Sequence, residues 1–195
     1  MPPKPRHRAP IIDAAVTLFR RQGYAGTGLN DIVDASGAPK GSLYHYFPEG
    51  KVSIAVAAVD EAGRRVAATL QDLATKAGTT GALLQAHARL LAGWMEKSGY
   101  RDGCPITTVL LELAPADRAV AEAGRKAYGA RITVLHDKLV ADGHAHADAH
   151  RLAQLCTSAM QGALIQARIE RSGAAIECTA AELARLIDHL PKNAA

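Results

Sequence analysis

One stretch of this 195-residue chain, residues 27–51, carries side chains suited to contact double-stranded DNA. A helix that reads base edges enters the major groove by its N-terminal turn, where bulky side chains would hold the backbone off the bases. Small or polar residues therefore belong at that turn, followed by exposed groups that touch a thymine methyl or donate a hydrogen bond. The predicted base contacts are Lys40, Gly41, Ser42, Tyr44 and His45.

Three further residues, Thr27, Tyr46 and Lys51, are predicted to hold DNA phosphates. Thr27 and Lys51 each begin a predicted helix, whose dipole and free N–H groups favour an anion. A basic arm could add phosphate or minor-groove contacts through Lys4, Arg6, His7 and Arg8. Residues 1–51 hold seven Lys and Arg against four acids, which accounts for +3 of the chain's formal net charge of +4. This asymmetry favours contact with a polyanion through one end of the chain.

Three short helices must position these groups. Apolar residues at helical spacing predict a first helix from Pro10 that ends at Gly23. Thr27 is the predicted N-cap of the second helix, which Gly37 ends, and Pro39 begins the third. This is the pattern of a helix-turn-helix. The spacing alone also fits a three-helix packing unit with no DNA role.

The remaining sequence is rich in alanine and contains no alternating β pattern, which predicts an all-α protein. Residues 1–50 are the expected helix-turn-helix domain and residues 51–195 a larger helical domain. Helices are predicted at 51–77, 81–98, 116–142, 147–171 and 179–190, with a shorter helix after Pro105. The apolar fraction of 48% suffices for a core, and neither a bilayer span nor a signal-type segment is evident, so a cytoplasmic location is expected.

The segment Leu43–Pro48 followed by Lys51, with Gly37 and Ile32 before it, closely resembles the DNA-binding domain of the TetR family of bacterial repressors. The likeness covers about residues 8–60. It implies base contacts from the start of the third helix and phosphate contacts from Tyr46 and Lys51. Three positions depart from the family pattern. Ala38 replaces a usual valine, Val33 replaces a usual alanine, and Val52 stands where an acidic residue often follows the lysine.

A second segment, Tyr100–Ile106 with Leu110–Ala114, resembles the C-terminal domain of a TetR subgroup called LmrA/YxaF-like. The resemblance implies a small-molecule pocket and a homodimer formed through the last two long helices. Candidate interface residues at helical spacing are Leu152, Leu155, Cys156, Ala159, Ala163, Gln166, Leu183 and Ile187. The alternative is that these residues form core stripes within one subunit.

Candidate pocket residues are mostly apolar, which favours an uncharged or aromatic effector. They are Trp94, Met95, Ile106, Thr108, Val109, Glu112, Leu113, Met160, Gln161, Leu164 and Ile165. Each of them could also be an ordinary core residue.

Two other groups suggest sensing chemistry. Cys104 precedes Pro105 at a predicted helix start, where the dipole favours a thiolate, but a buried and inert cysteine is the expected reading. The run His144, His146, Asp148 and His150 has spacing suited to zinc or nickel. The alternative is that these side chains form a solvated polar cap with no metal. The expectation is nevertheless that the protein holds no resident metal or cofactor. No phosphate loop, nucleophile elbow or carboxylate pair is present, so an enzyme is not expected.

The sequence thus predicts a homodimeric repressor that binds a palindromic operator and leaves it when a small ligand binds. The alternatives are an architectural DNA-binding protein with no effector and a metal-sensing or redox-sensing repressor. The two-fold operator is expected because a single helix-turn-helix reads few bases.

Overall fold

The computed structural model describes residues 6–192, which fold into helices with no strand among them. The helices are α1 (Arg8–Gln22), α2 (Leu29–Ser36), α3 (Lys40–Tyr46), α4 (Lys51–Lys76), α5 (Thr80–Lys97), α6 (Pro105–Leu113), α7 (Arg118–Ala141), α8 (His146–Glu170) and α9 (Ala174–His189). The all-α prediction is confirmed. No described helix is both long and apolar enough to cross a membrane.

Most predicted helix boundaries lie within two residues of the observed ones, but α9 begins at Ala174 rather than at residue 179. The turn before it closes early because Arg171 adopts a left-handed conformation, with φ of 52°. The Ser172 hydroxyl then accepts the N–H of Ala174 at 3.2 Å. Ile176, in the added turn, is fully buried, so packing favours the earlier start.

The chain forms two compact units with three boundaries, of which two fall inside helices α4 and α7 and one falls between α5 and α6. The N-terminal unit comprises residues up to Gly63 together with Cys104–Ala127, and the C-terminal unit comprises Arg64–Gly103 and the residues from Tyr128 onward. The N-terminal unit is therefore larger than the predicted domain of residues 1–50. In addition to α1, α2 and α3, it contains the first half of α4, all of α6 and the first turns of α7.

In the N-terminal unit, α1 packs against α2, α3 and α6. Ile11, Ala15 and Phe19 on α1 are fully buried, as are Ile32 of α2 and Leu43 of α3. Burial of a large apolar side chain contributes about 1.5–3 kcal/mol, so these residues fix the angle between the two helices of the helix-turn-helix. Gly37 makes the turn between them, with φ of +63°.

In the C-terminal unit, α9 packs along α5 and α8 around one apolar core. The Asp142 carboxylate ties the start of α5 to the end of α7, because it accepts the Thr80 N–H at 2.5 Å and the Thr80 hydroxyl at 2.7 Å. Lys138 also donates to Asp142. Partial burial acts to raise the pKa of Asp142, but the hydrogen bonds from Lys138 and Thr80 outweigh it and hold the pKa below its ordinary value.

Candidate DNA-binding site

The seven-residue helix α3 presents its first turn to solvent and anchors its far end in the core. Pro39 is the N-cap, and Lys40 and Gly41 behind it are exposed. Leu43 and Phe47 point inward at 0% and 3% exposure, which holds the helix by one face. An exposed first turn on a helix fixed from behind is the arrangement that major-groove reading requires.

All five predicted base-contact residues lie on α3. Tyr44 is half exposed and His45 is exposed, whereas Ser42 is partly buried. The rings of His45 and Tyr46 meet edge to face with centroids 5.0 Å apart, so Tyr46 limits the orientation of its neighbour.

Thr27 does not have the geometry of a phosphate ligand. It is fully buried, its hydroxyl donates to the Gly23 carbonyl at 2.7 Å, and its N–H donates to the Tyr24 carbonyl at 3.1 Å. Both groups that were expected to bind phosphate are therefore occupied within the loop. The N-cap of α2 is Gly28 instead, and its N–H donates to the Asp31 carboxylate at 2.7 Å.

Lys51, at the start of α4, is held in place by an aromatic ring. Its Nζ atom lies 4.1 Å from the centroid of the Tyr24 ring. Partial burial lowers the pKa of Lys51 from its ordinary value, and the negative charges of Glu112 and Asp31 act in the opposite direction. The predicted phosphate ligand thus has a fixed ammonium beside the helix-turn-helix.

The sequence did not reveal that α6 bonds to the loop that precedes α2. The Glu112 carboxylate accepts the Tyr24 N–H at 2.8 Å and the Ala25 N–H at 2.6 Å, one on each oxygen. Gly23 leaves room for it, since a Cβ there would lie 2.5 Å from Oε1. Burial and the charges of Asp117 and Glu112 raise the pKa of Tyr24. We name this arrangement the Glu112 clamp: Glu112, Gly23, Tyr24 and Ala25.

The basic N-terminal arm is partly ordered into α1. Arg8 opens that helix, and its guanidinium lies 5.6 Å from the centroid of the Phe47 ring. Arg6 is exposed, whereas Lys4 lies outside the described residues. Of the four predicted arm contacts, Arg8 is thus already packed against the end of α3.

Comparison with known proteins agrees with this arrangement. Residues 11–58 match the family model described as bacterial regulatory proteins, tetR family. Residues 81–182, more than half of the chain, match the model for the C-terminal domain of LmrA/YxaF-like transcriptional regulators. The chain belongs to the TetR family. It is therefore a DNA-binding transcriptional regulator rather than an enzyme, as the sequence predicted.

Relatives of this TetR-family regulator align along most of its length. An uncharacterized HTH-type transcriptional regulator of Mycobacterium tuberculosis is 31% identical over 188 residues, which cover 94% of each chain. The HTH-type transcriptional regulator LmrA of Bacillus subtilis is 31% identical over 158 residues, 81% of this chain and 84% of LmrA.

Solved structures share the fold. A TetR transcriptional regulator from Chloroflexus aurantiacus superposes with a TM-score of 0.78 at 28% identity and covers 96% of this chain and 97% of its own. A cysteine mutant of the regulator CifR, complexed with 26-bp double-strand operator DNA, has a TM-score of 0.75 at 18% identity and covers 91% and 95%. The second likeness is one of fold alone.

The predicted effector-pocket residues divide between the two units. Ile106, Thr108, Val109, Glu112 and Leu113 belong to α6 in the N-terminal unit, and the other six belong to the C-terminal unit. Trp94 and Ile165 are about half exposed, whereas Met95 and Met160 are buried. Two predicted polar contacts are already engaged, because Thr108 donates to backbone carbonyls of its own helix and Glu112 forms the clamp. The pocket itself stays a prediction.

The predicted dimer residues need correction, because most of them lie in the core of the subunit. Leu152, Cys156, Ala163, Leu183 and Ile187 are at most 7% exposed, which is the core-stripe alternative. Burial raises the pKa of the Cys156 thiol to about 12. Leu155 and Gln166 are exposed and Ala159 is partly buried, so the outward face of α8 is rotated from the predicted one.

The predicted metal run is also separated by the fold. His144 is 2% exposed, whereas His150 is exposed, and His146 faces His136 with Nδ1 and Nε2 3.4 Å apart. Within residues 6–192, no three histidine, cysteine or acidic groups are placed to hold one metal ion. Cys104 is the N-cap of α6 and is partly exposed, and a redox role for it stays an alternative hypothesis.

Proposed function

We propose that this regulator is a homodimeric repressor that binds a palindromic operator and is released from it by a small-molecule effector. The DNA-reading surface is the exposed first turn of α3, with Tyr46 and Lys51 beside it for phosphates. Lys40 and Ser42 supply donors for base edges, and Gly41 allows close approach of the backbone.

The observation that carries the ligand response is the Glu112 clamp. It joins α6 to the loop that leads into the helix-turn-helix through two hydrogen bonds to backbone N–H groups. A displacement of α6 would therefore reposition Tyr24, and with it the Lys51 ammonium above its ring. An effector acts in this way if it binds better to a conformer whose reading helices are wrongly placed for the operator, because equal affinity for both conformers shifts nothing.

An apolar stripe on the outside of α8 supports dimerisation. Leu155, Ile165 and Ile169 are 45–76% exposed, and their spacing of ten and fourteen residues places them on one helix face. Gly162 lies between them with open space around its Cβ position, and Leu186 adds 43% exposed apolar surface on α9. α8 and α9 pack on each other, so two copies of this pair would form a four-helix interface.

The test is selection of bound sequences from a random pool of double-stranded DNA by the full chain. We expect two-fold symmetric half-sites whose centres lie about 10–10.5 bp, or a multiple of that, apart. A set of recovered sequences without symmetry or preference would favour an architectural DNA-binding protein. A reporter gene behind the recovered site should be silenced by the protein, and increased transcription would indicate an activator.

The ligand response is tested separately by a mobility shift on the recovered operator with a compound library. Release by at least one compound at a concentration that leaves the helical circular dichroism unchanged is expected. If the operator is palindromic and no compound releases the protein, the effector part of the proposal is wrong.

A further inference from the structure

Arg131, on α7, is a charged side chain buried in the C-terminal unit. Only 6% of the residue is exposed, and its Nε has no hydrogen-bond partner. Its guanidinium carbon Cζ lies 5.2 Å from the centroid of the Tyr128 ring. Burying a charge without a partner costs several kcal/mol, so buried arginines are usually paired. The Nε donor is therefore placed as if for an acceptor that the described residues do not supply.

Helix register places Arg131 on the face of α7 that packs in the core. Val134 and Leu135, three and four residues further on, are both buried members of that core. His87 on α5 and Thr157 on α8 are also buried, and each is flanked along its helix by members of the same core. His87 lies close enough to Arg131 for its positive charge to act on the imidazole. Three of the helices that form this core thus each carry a buried polar residue.

Only one of the three polar residues is charged at neutral pH. Burial, with a smaller contribution from the positive charge of Arg131, lowers the pKa of His87 to about 4. Thr157 is neutral, and its buried Oγ1 has no hydrogen-bond partner. Of these three residues, Arg131 carries the positive charge, and His87 and Thr157 offer neutral hydrogen-bonding groups.

We propose that Arg131 binds the carboxylate of a small organic acid with an apolar body, and that this acid is the effector. A planar guanidinium matches a carboxylate through two parallel hydrogen bonds. A monoanion compensates its charge, whereas a phosphate dianion would leave a net negative charge and a neutral ligand would leave the guanidinium uncompensated. His87 and Thr157 provide further donors, and the surrounding core packs against the apolar body. The proposal rests on the proposed ligand response and replaces the expected uncharged effector by an acid.

The first test uses the ligand-free protein. If Arg131 serves ligand binding rather than folding, Arg131→Met should retain or raise the melting temperature, by about 2–4 °C, because it removes a buried donor that has no acceptor. A fall of several degrees in Arg131→Met, with Arg131→Lys unchanged, would assign the charge to structure and overturn the proposal.

The second test uses acids matched with neutral isosteres. The full chain is titrated with a panel of monocarboxylates and their primary amides, including benzoate with benzamide, cinnamate with cinnamamide and octanoate with octanamide. At least one acid should raise the melting temperature of the parent protein while its amide does not. Arg131→Met should need at least a tenfold higher concentration of that acid for the same rise in melting temperature, and Arg131→Lys should need a smaller increase.

Two outcomes would overturn the assignment: no acid that stabilises the protein more than its amide, or an acid whose effect survives in Arg131→Met. Operator release separates this proposal from the proposed function. If acids bind through Arg131 without releasing DNA, the anion site stands and the ligand response fails. If a neutral compound releases the parent and Arg131→Met equally, the ligand response stands and the acid effector fails.

Discussion

The Glu112 clamp allows a prediction that connects one side chain to both stability and DNA binding. Replacing Glu112 with Gln keeps the size of the side chain but leaves one oxygen acceptor where two backbone N–H groups now donate. The new amide group would turn a donor toward a donor. Glu112→Ala removes both hydrogen bonds.

The size of the effect follows from the number and type of these bonds. A hydrogen bond to a charged acceptor contributes about 1.5–3 kcal/mol, and the solvent exposure of Glu112 favours the lower end. We therefore expect a loss of about 1–2 kcal/mol for Glu112→Gln and about 2–3 kcal/mol for Glu112→Ala. Because about 1.4 kcal/mol is a factor of ten, the Tyr24 and Ala25 amides should exchange roughly 5-fold to 30-fold faster in Glu112→Gln.

The assay is amide hydrogen exchange by NMR on the full chain, read at Tyr24 and Ala25, together with operator affinity by mobility shift. Affinity should fall up to about tenfold, since the loop that orients α2 and supports Lys51 is loosened. Glu122→Gln is the matched control. Glu122 is an exposed glutamate of the same unit that pairs with Arg125 at 2.5 Å, and an exposed ion pair contributes little to stability.

A substitution at Gly23 checks the same geometry from the other side. Gly23→Ala is costly because φ is +78° and because the new Cβ would displace Oε1 of Glu112. The second cost should vanish in Glu112→Ala, so the double variant should be more stable than the sum of the single effects. Additive effects, with unchanged exchange at Tyr24 in Glu112→Gln, would refute the clamp.

Three other outcomes are expected. Lys51→Ala should weaken binding to all DNA sequences and lower the salt-dependence slope by about one, whereas Lys40→Ala should change sequence preference; equal affinity of parent and Lys51→Ala at every salt concentration would contradict this. Gly162→Arg should convert dimer to monomer by analytical ultracentrifugation with the helical signal intact, because its Cβ meets open space, while Gly162→Ala should remain dimeric. The pKa of His87 is about 4 in the folded protein and near 6.5 in the unfolded chain, so the folded state should lose stability as the pH falls below 6.5, by roughly 3 kcal/mol at pH 4. In thermal melts, His87→Leu should therefore lose less stability than the parent protein between pH 6.5 and pH 4.

The sequence predicted what depends on local patterns. The apolar spacing of α1 and the stop signals Gly23 and Gly37 are properties of neighbouring residues, and all are found as expected. Leu43 and Phe47 likewise indicated which face of α3 is buried. The positions of the DNA-reading residues on one helix therefore followed from short-range rules.

Contacts between distant residues were not predictable in this way. Glu112 and Tyr24 are separated by 88 positions, and nothing in the spacing of either indicates the other. The Thr27 hydroxyl was predicted to bind a DNA phosphate, but it donates to the Gly23 carbonyl four residues earlier. On α8, small and large apolar residues lie on two neighbouring helix faces, and the sequence does not tell which face is buried. The packing of α9 against α8 decides it, because Leu152 is buried whereas Leu155 stays exposed.

The discontinuous N-terminal unit has a consequence for building hybrid regulators. Three crossings of the chain, at 63–64, 103–104 and 127–128, separate the two units. A single-junction chimera that joins residues 1–50 to another protein's effector domain would lose Glu112 and with it the partner of the Tyr24 and Ala25 amides. A functional chimera should therefore take α6 and the DNA-reading helices from the same parent protein. Such a chimera needs three junctions rather than one.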